Sequence, residues 1–237
     1  MKKLIFIFSI FFIDFKTFSQ TFLPTFHGVH HTKKIPTNGL VAYFDFSSGE
    51  LGYTLGSGVE ATTDKNGNAN SAVQLDSQGE IISGQFSELL DDDFTVSIWA
   101  KHDGYAGRKM WLISFGSPNS PNPSKNQAFH LGIHNNGNYR VGSWSAGHGT
   151  NVYLGNDDSW KHYVVTYDKS EKIYKFYINN TISYNQTNHN LSLISKDFII
   201  GSQLFWNNEN WNGKIDEFGL WNRILTSQEI TDLYNNY

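Results

Sequence analysis

The sequence contains no cysteine, so neither a disulfide framework nor a lipoprotein anchor can be built from it, and the fold must hold by its core alone. Positive charge is scarce as well: 18 Lys and Arg stand against 22 Asp and Glu, a net charge of −4. Nucleic acids and anionic membranes are bound through basic patches, so this balance argues against both as partners. Long apolar runs are missing too. The longest, Leu4 to Ile13, is closed by Asp14 and Lys16 and is half the roughly twenty residues of a spanning helix. Lys2 and Lys3 precede that run, and Thr17-Phe18-Ser19 follows it with small residues where a signal peptidase cuts, which predicts a signal peptide over residues 1–19. The mature, exported chain would then start at Gln20 without a membrane span, two units more negative for the loss of Lys2, Lys3, Lys16 and Asp14.

What is abundant points to strands. Aromatic residues make up 16% of the chain, and its 21 glycines suit many short strands joined by tight turns. Residues 20–38 are rich in Thr, Pro and His without periodicity and read as a lead-in segment. From Gly39 the pattern changes: Leu40, Ala42, Phe44 and Phe46 alternate with Val41, Tyr43 and Asp45, as in a half-buried strand. Similar runs recur at 94–100, 111–115, 128–133, 139–144, 160–167, 172–178, 197–201 and 214–221. Asn179-Asn180 between two such runs predicts a two-residue hairpin, because asparagine tolerates positive φ. Near the end, Thr226 and Glu229 form a capping box with Leu225 and Ile230 as a staple, so a short helix is expected from about Ser227. The predicted fold is all-β: a two-sheet antiparallel β-sandwich, or jelly roll, over 39–237 with a short C-terminal helix.

Five blocks, in order, resemble a known family: IPTNGLVAYFDF, TTDKNGNANSAVQLD, DFTVSIWAK, SWKHYVVTYDKSEKIYKFYINN, and FIIGS followed by NGKIDEFGLWNRILTSQEITDLY. Together they are similar to secreted laminin-G-like jelly-roll domains of the concanavalin-A-like superfamily, those of Bacteroidetes in particular, over residues 38–237. The resemblance implies the sandwich. It leaves function open, since this architecture hosts lectins, adhesion modules and glycosidases.

Glycoside hydrolysis needs two carboxylates flanking the scissile bond. Related sandwich glycosidases carry them as Glu-x-Asp-x-x-Glu, but here Lys214 and Gly219 fill the places of the two glutamates. Adjacent Asp216 and Glu217 are expected on opposite faces of a strand. Asp91-Asp92-Asp93 reads as a solvated turn, and no His-Glu-x-x-His zinc motif occurs. The expected function is therefore a secreted, non-catalytic binding module; the alternatives are an extracellular structural or adhesion component and a divergent polysaccharide hydrolase.

Calcium, as a structural ion, is compatible with Asp64 in the oxygen-rich stretch 64–68, and the family resemblance implies an ion near Asp45 and Asp216. An Asx turn at Asp64 and a backbone bond at Asp216 are compatible with the same residues. Of nine histidines, His130 and His134 share a strand face but lie about 13 Å apart, too far to chelate one ion. A glycan or surface glycoprotein ligand would be held by aromatic rings stacked on sugar faces and by amides that bond hydroxyls. Residues 203–212, with Trp206, Asn207, Asn208 and Trp211, fit that composition best. Residues 144–151, with Trp144 and His148, are a second candidate. Plain packing is equally open to Trp206 and Trp211, whereas Trp99, Trp160 and Trp221 lie within strand runs and are expected to pack.

Overall fold

The computed structural model describes residues 35–47, 53–76, 82–88, 90–105, 107–116, 126–143, 149–154, 158–203 and 209–236. Among them the chain forms fifteen strands and then one helix: β1 (Leu40–Phe44), β2 (Tyr53–Leu55), β3 (Glu60–Thr62), β4 (Ala72–Asp76), β5 (Ile82–Gln85), β6 (Phe94–His102), β7 (Met110–Phe115), β8 (Phe129–Ile133), β9 (Asn138–Ser143), β10 (Gly149–Tyr153), β11 (Lys161–Asp168), β12 (Ile173–Ile178), β13 (Thr181–Gln186), β14 (Asp197–Ile200), β15 (Asn212–Trp221) and α1 (Ser227–Asn235). One sheet runs β13-β12-β11-β6-β15-β4-β3, with β1 also paired to β15; the other runs β10-β9-β8-β7-β14-β5-β2. Both are antiparallel, and they pack face to face as a sandwich.

Period-2 alternation decides what lies between the sheets. In β6, Phe94, Val96, Ile98 and Ala100 point inward; in β9, Tyr139 and Val141 do. Aromatic rings fill much of this core, with Phe86 stacked on Phe198 at 4.5 Å and Phe94 edge-on to Phe115 at 5.3 Å. The outer face of the eight-stranded sheet is closed by α1, where Val164, Tyr177, Trp221, Leu225 and Ile230 form a second apolar cluster. The expected capping box at Thr226 and Glu229 is present, and the Arg223 guanidinium grips both Glu229 carboxylate oxygens at 2.9 and 2.6 Å. The expected hairpin is present too: Asn179 and Asn180 have φ of 49° and 62° between β12 and β13.

Register shifts interrupt five of the strand pairings, and two of them change which face a side chain takes. A register shift in β7 between Trp111 and Ile113 turns Leu112 and Ile113 both into the core and leaves Trp111 on the outside. In β15 a bulge falls between Asp216 and Gly219, with Glu217 at φ 51°. There β15 changes its outer neighbour from β4, which pairs residues 212–215, to β1, which pairs 218–221.

Candidate binding face

Tyr139 and Val141 of β9 and Leu131 and Ile133 of β8 point into the core, so Arg140 and Gly132 must face the other way, onto the outer surface of the seven-stranded sheet. Register sets them in one row: Trp111 pairs with Gly132, Gly132 with Arg140, and Arg140 with Gly149. A parallel bridge from Trp111 to Asn210 extends the row on one side. Glycine at 132 is what seats the indole, since a Cβ there would stand 2.7 Å from the Trp111 ring and 2.4 Å from the Met110 carbonyl oxygen. His130 meets that indole edge-on at 4.6 Å. The Trp111 Nε1–H donates to Glu209 Oε2 at 2.7 Å, and Lys109 Nζ donates to Glu209 Oε1 at 3.0 Å. Gln203 Nε2 donates to the same Oε2.

Arg140 itself is half-buried, and its Nε–H is enclosed without an acceptor. Burial lowers its pKa. His134, in the β8–β9 turn, is pushed towards its neutral form by burial first and then by the charges of Arg140 and Lys109. Past a register shift in the β9–β10 pairing, Asn138 faces Tyr153, whose ring lies against Gly137 and is 58% exposed. An exposed ring and an unpaired guanidinium thus share one face.

The residues expected from sequence divide three ways. Trp206, Asn207, Asn208, Trp144 and His148 lie outside the described residues. Trp211 is corrected to packing: it is 1% exposed and lines a small gap in the core with Leu112, Leu131, Tyr139 and Tyr163, so no ligand can stack on it. Residues 149–151, expected in a loop, belong to β10.

Asp64 makes the Asx turn: Oδ1 accepts the Asn66 and Asn68 amides at 2.8 and 2.9 Å, and Oδ2 accepts Asn68 Nδ2 at 2.9 Å. Asp45 Oδ1 accepts the Ser47 amide and Asp216 Oδ1 the Glu217 amide. Burial and then the charge of Glu217 raise the pKa of Tyr43, with Asp45 and Asp216 adding to the effect; the Tyr43 hydroxyl donates to Glu217 Oε2. The alternation expected at 216 and 217 is overridden by the bulge, and both acids are buried, at 0% and 8% exposure. Both carboxylate oxygens of Asp64 are engaged in its own turn. Among the described residues no group of three His, Asp or Glu side chains is arranged to hold a metal.

Sequence reasoning missed Arg140, Tyr153 and the Trp111–Gly132 pair. The signal for Arg140 was available: in YRVGS it alternates with the apolar Tyr139 and Val141.

A family model described as the Concanavalin A-like lectin/glucanases superfamily, of the Laminin_G_3 type, matches residues 67–231. The chain belongs to that superfamily. Among solved structures, this superfamily domain is similar to the receptor binding domain of botulinum neurotoxin C/D mosaic serotype, at a TM-score of 0.62 and 15% identity over 83% of this chain and 51% of that one. The receptor binding domain of botulinum neurotoxin D gives the same score and identity over 83% and 52%. The binding domain of botulinum neurotoxin DC in complex with SialylT follows at 0.57 and 14%, over 77% and 46%. At such identities the likeness establishes the fold, and the chain spans about half the length of these binding domains. No curated protein matches the sequence.

Proposed function

We propose that this domain is an exported, non-catalytic module that binds a glycan, free or on a surface glycoprotein, on the outer face of its seven-stranded sheet. The observation that carries the reading is the exposed Tyr153 ring on the same face as Arg140, a pairing of apolar platform and polar anchor suited to a sugar. Support comes from the neurotoxin binding domains of the same fold, one of them in complex with SialylT. The burial of Asp216 and Glu217, the latter bonded to Tyr43, favours binding over hydrolysis, because neither acid is open to a polymer. A structural calcium ion belongs to the proposal only beside Asp45 and Asp216. The test is a glycan array on the mature chain, followed by titration of any hit against Tyr153→Ala. Loss of the ring should weaken binding by about 1–3 kcal/mol with the melting temperature unchanged. Full affinity in that variant would move the site off this face.

A further inference from the structure

The outer face of the seven-stranded sheet holds a cation to which no acid among the described residues is paired. Arg140 is flanked across both strand pairings by glycine, Gly132 on β8 and Gly149 on β10. On the β8 side the space that a side chain would fill is taken by the Trp111 ring. On the β10 side it is open, since a Cβ at Gly149 would meet nothing within 4 Å. Arg140 therefore stands between a filled position on the β8 side and an open one on the β10 side.

The local charges point the same way. Lys109 and His134 stand at this end of the face, with His130 edge-on to the Trp111 indole, and the carboxylate Glu209 is held by Lys109, that indole and Gln203. A half-buried cation costs stability in the free protein, and an anion that pairs with the guanidinium recovers part of that cost. In a chain with more acids than bases, a carboxylate partner for Arg140 would be easy to supply from within, yet none is present among the described residues. The planar fork of arginine suits a carboxylate or sulfate, which it can grip with two parallel N–H bonds.

We infer that Arg140 reads a negative charge on the ligand, so that the glycan bound at this face is acidic, bearing uronate carboxylates or sulfate esters. This inference rests on the glycan reading above. Tyr153 would stack on a ring of such a ligand while Arg140 takes its anion.

The test uses the mature chain with three probes, oligogalacturonate, dextran sulfate and neutral dextran, titrated at equal ionic strength against wild type, Arg140→Lys and Arg140→Gln. The expected result is binding of one acidic probe, which also names the anion. Arg140→Gln should lose at least tenfold in affinity for it, and Arg140→Lys an intermediate amount, because charge without the fork is kept. The melting temperature of ligand-free Arg140→Gln should hold or rise, since the charge removed has no partner. Equal affinity for neutral and acidic probes, or acidic binding unchanged in Arg140→Gln, overturns the inference and leaves the glycan reading standing. A drop of several degrees in ligand-free Arg140→Gln also overturns it, by making the arginine structural. A wild-type chain that binds none of the probes, nor any glycan on the array, overturns both.

Discussion

Acidification should destabilise this protein through His162, because the histidine is sealed under the helix that closes the eight-stranded sheet. Its Nε2 lies 2.7 Å from Ser97 Oγ, its Nδ1 is buried without a partner, and its ring stacks on Trp99 at 5.1 Å. Tyr234 of α1 stacks on the same indole at 5.6 Å, and the Lys65 ammonium stands 4.2 Å from its centroid. Burial, followed by the charge of Lys65, takes the pKa of His162 down to about 3. In the unfolded chain it titrates near 6.5. Below that value the unfolded state takes up a proton that the native state refuses, so stability falls as pH falls from 6.5 towards 3 and is fully kept above 6.5. At roughly 1.4 kcal/mol per unit, acidification from about pH 7.5 to about pH 5 should remove about 2 kcal/mol through this one group. Glu229, held down to about 2 chiefly by its hydrogen bond to Arg223, loses its contribution only as pH falls through 4.5 towards 2, below that window. Urea unfolding at both pH values, in wild type and in His162→Gln, isolates the effect, because His134 acts alike in both proteins. The variant is expected to be weaker at neutral pH and to lose about 2 kcal/mol less on acidification. Parallel losses in the two proteins would refute the reasoning.

Trp211→Ala should cost about 3–5 kcal/mol in urea unfolding through the cavity it opens, and a cost below about 1 kcal/mol would contradict its placement in the core. Asp64→Ala should lower stability by about 1–3 kcal/mol through the lost turn bonds, equally in calcium and in chelator. Calcium, by contrast, is expected to raise the wild-type melting temperature over that in chelator, and Asp45→Ala or Asp216→Ala to erase the difference; a melting curve indifferent to both conditions removes the ion from the proposal. Intact-mass analysis of exported protein should show a chain starting at Gln20, and a retained leader would sink the cleavage assignment.

The long strands could be read from the sequence because each carries its own alternation: Phe94, Val96, Ile98 and Ala100 face inward in β6 as the pattern requires. The capping box of α1 and the Asn-Asn hairpin were equally local, set by side chains within a few residues of the backbone they control. The short strands were not. Tyr53–Leu55, Glu60–Thr62 and Ile82–Gln85 are too brief for a period to show, and they are strands because β5, β4 and β14 supply their hydrogen bonds. β10 failed for a related reason, since Gly149-Thr150-Asn151 has the composition of a loop and is ordered by pairing with β9. Bulges defeated the pattern elsewhere. Strict alternation put Asp216 and Glu217 on opposite faces, but one extra residue in β15 buries both where β4 gives way to β1.

The location of the binding face depends on something no local pattern contains, namely which sheet the C-terminal helix covers. Either outer surface of a sandwich can bind, and the sequence alone gave Trp99 and Trp111 much the same setting in apolar strand runs. In the folded chain α1 lies over the eight-stranded sheet, and Trp99 is enclosed by His162, Tyr234 and Lys65. The opposite sheet carries Gly132, Gly142 and Gly149 where side chains would otherwise project, opposite Trp111, His130 and Arg140. At Gly149, beside the Arg140 guanidinium, a Cβ would meet nothing within 4 Å. That opening beside Arg140, near the exposed Tyr153 ring, is the physical reason for proposing recognition on the seven-stranded sheet.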